Sequence, residues 1–334
     1  MNEPILKQAA DISLGGDTLP RELADALARL DGEAVLDLVA LANRVRNRFA
    51  PPFQACSIIN AKSGACSEQC RFCAQAGTHA THAETYPLLS AQTIADAAHS
   101  AYESGVRSFC IVTSGYGMPR VDSDFEQVLK AIDTIRARCP GMGVSASLGM
   151  LGEETARLLV ERGIEHYNIN LQTAPERYAE LITRTHSVQE RIDTIKLFKP
   201  GGVMICSGGI LGTGETMNDR LSLAFTLGEL AVDIIPLNIL VPIQGTPLEN
   251  QPPLPAIEVV RTVALFRLIN PRAVIKLAAG RESVMNDFQG LLMLAGASGF
   301  ITGGYLTTRG RSVERDIAFR RELDIFASAA ETVP

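Results

Sequence analysis

From Phe53 to Thr302 the chain alternates short β-rich runs with helical ones, eight times over. The strands are expected at 53–59, 106–113, 143–148, 165–171, 202–207, 233–241, 273–277 and 299–302. The helices between and after them are expected at about 90–104, 124–138, 153–162, 188–199, 217–230, 256–269, 283–295 and 312–327. Strands separated by helices have no hairpin to join them, so they must run parallel. Eight of them favour a closed (β/α)8 barrel of the TIM type, with a doubly wound open sheet as the alternative. Local punctuation agrees. Ser90 and Ser123 suit N-caps, Ser187-Val188-Gln189-Glu190 has the capping-box pattern, and Gly105 and Gly163 suit the left-handed position past a helix end.

The organisation expected is a helical extension over 1–52, a barrel over 53–311, and a helix with a tail over 312–334. Residues 1–19 are expected to be poorly structured. Leu23, Leu27 and Leu30 mark one short helix, and 33–49 a second that Pro51-Pro52 ends and that caps the barrel. At 46% hydrophobic residues, 334 residues suffice for one large core. With 31 Lys and Arg against 37 Asp and Glu and no basic run, nucleic acid is not an expected partner. The opening MNEPILKQAADISLGG lacks the charge and apolar run of a secretory leader. The apolar stretch at 290–304 is too short and too rich in glycine to span a bilayer. Seven cysteines then point to reduced thiols or metal ligands in a cytoplasmic protein.

Three of those cysteines, Cys66, Cys70 and Cys73, lie within eight residues directly after the first strand, spaced C-x3-C-x2-C. In a barrel of this kind the loops after the strands carry the chemistry. Thiolates suit zinc or iron–sulfur clusters. Zinc would need a fourth ligand, for which His79 and His82 are the local candidates. A 4Fe–4S cube held by three thiolates leaves one iron open for a ligand that reacts. The strands also carry polar or soft residues where barrels are normally apolar: Cys56, Cys110, Ser145, Asn168, Cys206, Asn238 and Lys276. Asn168, Asn170 and Gln172 repeat with period two and so project to one face of the fourth strand. Buried amides without partners cost about 1–3 kcal/mol each, so a row of them argues for a polar ligand in the lumen.

The cysteine loop resembles the signature of the radical S-adenosylmethionine (SAM) superfamily, in which the open iron binds SAM and Phe72 is the aromatic beside the last cysteine. Further motifs resemble the biotin synthase family from about Cys56 to Gly310: SGACSEQCRFCAQ, RSFCIVTSG, YNINLQT, VQERIDT, CSGGILGTGE, PLNILVPIQGTPL, IKLAAGRE and YLTTRGRS. The resemblance implies that the reduced 4Fe–4S cluster splits SAM into methionine and a 5′-deoxyadenosyl radical. That radical takes hydrogen from dethiobiotin, and the carbon radical takes sulfur from an auxiliary iron–sulfur cluster. It implies SAM contacts from Asn170, Gln172 and Arg191, an adenine site beside Ile210 and Val241, ureido contacts from Asn168, Asn170 and Asn238, and carboxylate contacts from Thr307 and Thr308. It also implies an electron donor such as flavodoxin or ferredoxin, and a homodimer.

The auxiliary site departs from the family pattern. Better-known members use three strand cysteines and an arginine for a 2Fe–2S cluster. Here Cys110 and Cys206 match two of the cysteines, Ser145 replaces the third and Lys276 replaces the arginine. Gln172 also stands for an acidic residue, and Ile169 for a histidine. Either the second cluster is of another type that recruits Cys56, or the chain is a radical enzyme of maturase or isomerase type without sulfur insertion. A non-catalytic zinc-stabilised protein is the reading from a different class.

Overall fold

The computed structural model describes residues 3–307 and 310–326. Eight strands form the central sheet: β1 Gln54–Lys62, β2 Ser108–Thr113, β3 Gly143–Ser147, β4 His166–Asn168, β5 Met204–Cys206, β6 Ile234–Ile239, β7 Val274–Leu277 and β8 Gly299–Ile301. Each pairs in parallel with the next, β8 returns to β1, and β6 pairs with β7, so the sheet closes. All eight expected strands are present, and the closure decides for the barrel over the open sheet. β7, with the sequence VIKL, is buried throughout, as a strand must be when helices cover one face and side chains fill the other.

The fifth strand has a break that matters for the site. Beyond Cys206↔Ile234, the residues Gly209–Leu211 resume pairing with β6 at Leu237–Ile239. At the break a side chain on Gly208 would collide with the backbone of Pro236, so only glycine allows that close approach.

The surrounding helices include α1 Glu3–Ser13, α2 Arg21–Leu27, α3 Ala34–Phe49, α4 Ala91–Glu103, α5 Ser123–Arg138, α6 Glu153–Glu161, α7 Val188–Phe198, α8 Met217–Glu229, α9 Ala256–Ile269 and α10 Val313–Leu323. Ser90 caps α4 and Ser187 with Glu190 forms the expected box on α7. Three expectations fail. The N-terminal stretch contains α1, whose inward face is Ala9 and Ser13 with Ile5 and Leu6 beside the core. Such small residues make a faint pattern. Asp122, not Ser123, caps α5: its extended backbone lets the carboxylate accept from the Phe125 amide at 2.9 Å, and Ser123 is already helical. The helix expected at 283–295 is broken into Arg281–Met285, a 3-10 turn at Asn286–Phe288, and Gln289–Leu294. Asn286 takes a left-handed φ of 45° there, which an α-helix cannot contain.

The N-terminal helices add a layer on one flank. α3 lies against α9 and against Gln289–Leu294, where Arg46 donates to the Met293 carbonyl at 2.8 Å. Arg267 of α9 is wholly buried and fastens the chain entering β7 and β8. Its guanidinium donates to the carbonyls of Gly296, Pro271 and Ala273 and to the Ser298 hydroxyl. Burial, with no carboxylate bonded to it, lowers its pKa to about 9.

Candidate active site

The barrel encloses a cavity of about 330 Å³. At one end is the cysteine loop. It is closed by backbone bonds from the Cys66 amide to the Gln75 carbonyl (3.1 Å) and from the Gly77 amide to the Cys66 carbonyl (2.8 Å). The Gln75 side chain accepts from the Gly64 amide at 3.1 Å. Gly64 enters the loop with φ 69° and no room for a Cβ beside Thr85. Cys73 and Phe72 line the cavity. Burial pushes the Cys70 thiol up to about 12, with Arg191 acting against it, and raises Cys73 as well. Among the described residues no three His, Cys, Asp or Glu side chains close around a point that would hold a single metal ion. His79, one of the candidate fourth ligands, has its Nδ1 on the Cys73 carbonyl at 2.9 Å.

The loop is joined to Arg191 by a hydrogen-bonded relay. The Glu68 carboxylate accepts from His186 Nδ1 at 2.7 Å, His186 Nε2 accepts from the Tyr178 hydroxyl at 2.9 Å, and Arg191 Nε donates to the Tyr178 oxygen at 2.6 Å. Arg191 also places Nη2 3.0 Å from His186 Nε2 and donates from Nη1 to the Asn170 carbonyl at 3.0 Å. Burial holds His186 below its ordinary pKa despite Glu68, so its ring is neutral and serves as donor on one side and acceptor on the other. Burial opposes ionisation of Glu68, but its bonds to Thr185, His186 and Ser67 outweigh that and hold it low.

Midway along the cavity lie Asn168, Asn170 and Gln172, all in its wall as the period-two pattern required. The regular strand ends at Asn168, and Gln172 adopts a left-handed φ of 70°. Asn170 Oδ1 accepts from the Gly208 amide exposed by the break in the fifth strand. Asn238 is engaged at both ends, donating to the Gly209 carbonyl and accepting from the Ala279 amide. Asn168 Oδ1 and Gln172 Oε1 are buried and have no partner. These two oxygens are where a polar ligand is missing most. Ile210 and Val241 are also in the wall, and Phe72 packs against Ile210 and Leu240.

At the floor, Cys56, Cys110, Cys206 and Lys276 share the cavity. Lys276, 2% exposed, places Nζ 3.4 Å from Cys56 Sγ. Burial alone would lower its pKa, but the sulfurs of Cys56 and Cys206 carry it above the ordinary value. Burial pushes the Cys110 thiol up to about 12 and raises Cys206 too. A cation among thiols suits an anionic cluster, so this donor set fits an iron–sulfur group. Ser145, beside Cys110 in the register, donates its hydroxyl to the Phe109 carbonyl at 3.2 Å.

At the mouth, Thr307 and Tyr305 line the cavity; Thr308 lies outside the described residues. Tyr305 is held by Arg281 Nε at 3.2 Å and donates to Glu282 at 2.9 Å, while Arg281 is paired with the buried Asp316 of α10 at 2.7 Å.

Comparison with known proteins gives the family. A model of the radical SAM superfamily matches residues 61–227, and one of the biotin and thiamin synthesis associated domain matches 236–325. The chain is 51% identical to the biotin synthase of Chlorobium phaeobacteroides (strain BS1), over 99% of this chain and 98% of that protein. It belongs to the biotin synthase family. It is 52% identical to the biotin synthase of Chlorobaculum parvum over 94% and 95% of the two chains. Among solved structures it resembles methylornithine synthase (TM-score 0.79, 17% identity, 95% of each chain) and the FeFe-hydrogenase maturase HydG from Carboxydothermus hydrogenoformans (0.77, 16%, 96% and 78%). At such identities these two share the fold only. As a biotin synthase of the radical SAM type, the chain is an enzyme whose cofactors are a 4Fe–4S cluster, SAM and an auxiliary iron–sulfur cluster. No described helix is long and apolar enough to cross a membrane.

Sequence reasoning missed Glu68, Tyr178 and His186, whose meeting depends on the fold, and His166, which lines the floor. Extending the period-two row one step before Asn168 reaches His166.

Proposed function

We propose that this biotin synthase inserts sulfur into dethiobiotin within the one cavity, with SAM at the cysteine-loop end and the auxiliary cluster at the floor. The observation that carries the reading is that Cys73 of the cysteine loop and the strand thiols of Cys56, Cys110 and Cys206 line one cavity, with the unpartnered oxygens of Asn168 and Gln172 in the same wall. When bound, the first cluster with SAM supplies the hydrogen-abstracting radical, and the second supplies sulfur.

The residues do the rest. Cys66, Cys70 and Cys73 hold the first cluster. The fork of Arg191, fixed by Tyr178 and the Asn170 carbonyl, presents its remaining N–H groups to the carboxylate of SAM. Asn170 and Gln172 reach the ribose, while Phe72, Ile210 and Val241 form an apolar slot for adenine. The free Asn168 Oδ1 accepts a ureido N–H, and the second hydrogens of the Asn168 and Asn238 amides face the ureido oxygen. Thr307 and Thr308 take the carboxylate tail. Cys56, Cys110 and Cys206 hold the auxiliary cluster, with Lys276 as its counter-charge. Ser145 is left out because it does not line the cavity. Enclosure keeps water and stray hydrogen donors from a carbon radical. An electron donor such as flavodoxin or ferredoxin, a homodimeric state and a cytoplasmic setting complete the reading and rest on the family alone.

The test is anaerobic reconstitution with iron and sulfide counting, then incubation with dethiobiotin, SAM and reductant. Iron well beyond four per chain and dethiobiotin-dependent 5′-deoxyadenosine with biotin are expected. Four irons, and SAM cleavage without biotin, would instead mark a maturase-like or isomerase-like enzyme.

A further inference from the structure

The floor of the cavity holds three thiols, and a cluster of four irons has a place for one more protein donor. Lys276 is no such donor while its ammonium is bonded to Cys56. Ser145 does not line the cavity. His166 remains. It is 2% exposed and its ring lines the same cavity. It sits on β4 next to the strand of Cys206: Asn168 pairs with Cys206 and His166 with Met204, so His166 is one inward-facing position below the thiol.

Its hydrogen bonding is incomplete. Nδ1 is buried with no partner and stands 3.4 Å from Glu165 Oε2, just beyond a formed bond. That carboxylate is held in place by the Ser108 hydroxyl at 2.6 Å. Metal-binding histidines commonly give their other N–H to a carboxylate, which fixes the tautomer and turns the remaining lone pair to the metal. Here Glu165 lies beside Nδ1, the carboxylate that a metal-binding histidine would use, so Nε2 is the nitrogen left for a ligand bond.

Resting on the two-cluster reading above, we propose that His166 Nε2 is a nitrogen ligand of the auxiliary iron–sulfur cluster, completing the set of Cys56, Cys110 and Cys206, with Glu165 as the residue that sets its tautomer. A neutral imidazole in place of a thiolate leaves the cluster less negative and raises its reduction potential.

The experiment uses the full chain, reconstituted anaerobically with iron and sulfide, prepared with natural and with 15N-labelled histidine, reduced and examined by pulsed electron paramagnetic resonance. A directly bound histidine nitrogen that changes with the label is expected in the wild type and absent from H166Q and H166C. H166C is expected to keep the second cluster at a lower potential, and H166Q to keep only the first cluster at full occupancy. A wild type with both clusters full and no histidine coupling overturns the assignment without needing any variant to fold, as does H166Q with an unchanged second-cluster spectrum. A wild type with four irons and no second cluster overturns the two-cluster reading itself, and the assignment with it.

Discussion

Replacing His186 with alanine removes the middle of the relay between the cysteine loop and Arg191. The side chain of His186 is 1% exposed and that of Glu68 11%, so water does not readily take its place. Three contacts vanish: to Glu68 at 2.7 Å, from Tyr178 at 2.9 Å and from Arg191 at 3.0 Å. Bonds to charged groups are worth about 1.5–3 kcal/mol each, and the orphaned buried partners add to the loss. Arg191 keeps its bonds to Tyr178 and Asn170, so it loses orientation rather than position. The two bonds to charged partners alone set an expected fall in stability of about 3–6 kcal/mol. If about 1.4 kcal/mol of that reaches the Arg191 fork, the KM for SAM rises roughly tenfold, with a smaller change in kcat. Glutamine at 186 can donate to Glu68 and accept from Tyr178, so H186Q should recover most of the loss. The assay is 5′-deoxyadenosine formation against SAM concentration, with iron counted in each preparation. An H186A protein with full iron and a KM within twofold of wild type would refute the relay as the element that positions Arg191.

Three further outcomes are expected. R267M leaves several buried carbonyls unpaired and should destabilise the chain by about 3–5 kcal/mol, read as a drop in denaturant midpoint. N168L removes an unpartnered acceptor facing the proposed ureido site, and the KM for dethiobiotin should rise by about 5- to 100-fold while SAM binding holds. His166 and His186 are both held below their ordinary value of 6.5, chiefly by burial. Their contribution to stability is therefore full above about pH 6.5 and is lost as pH falls through their folded values. The urea midpoint of the cluster-free chain should decline below that pH, and less steeply in H166Q.

The barrel was legible because each strand is a compact apolar run between glycine or polar punctuation, and because strand count fixes closure. The cysteine loop was legible for a different reason: its ligands are neighbours in sequence. The relay was not, since Glu68 and His186 lie 118 positions apart and neither sits in a periodic run. His166 escaped notice because it opens β4, where a histidine reads equally well as a strand end. The first helix was missed because alanine and serine bury little area per turn. Asn238 is expected at the ureido ring, and its amide is also tied to two backbone groups that only the assembled barrel brings near.

The clasp of Arg281 on Tyr305 and Asp316 has a consequence away from the chemistry. One aromatic ring forms part of the doorway, and its hydroxyl is moored to a helix near the end of the chain. On the proposed function, entry of the acid and departure of the product would depend on how firmly that distant helix is seated, and a change on α10 is expected to alter traffic through the barrel.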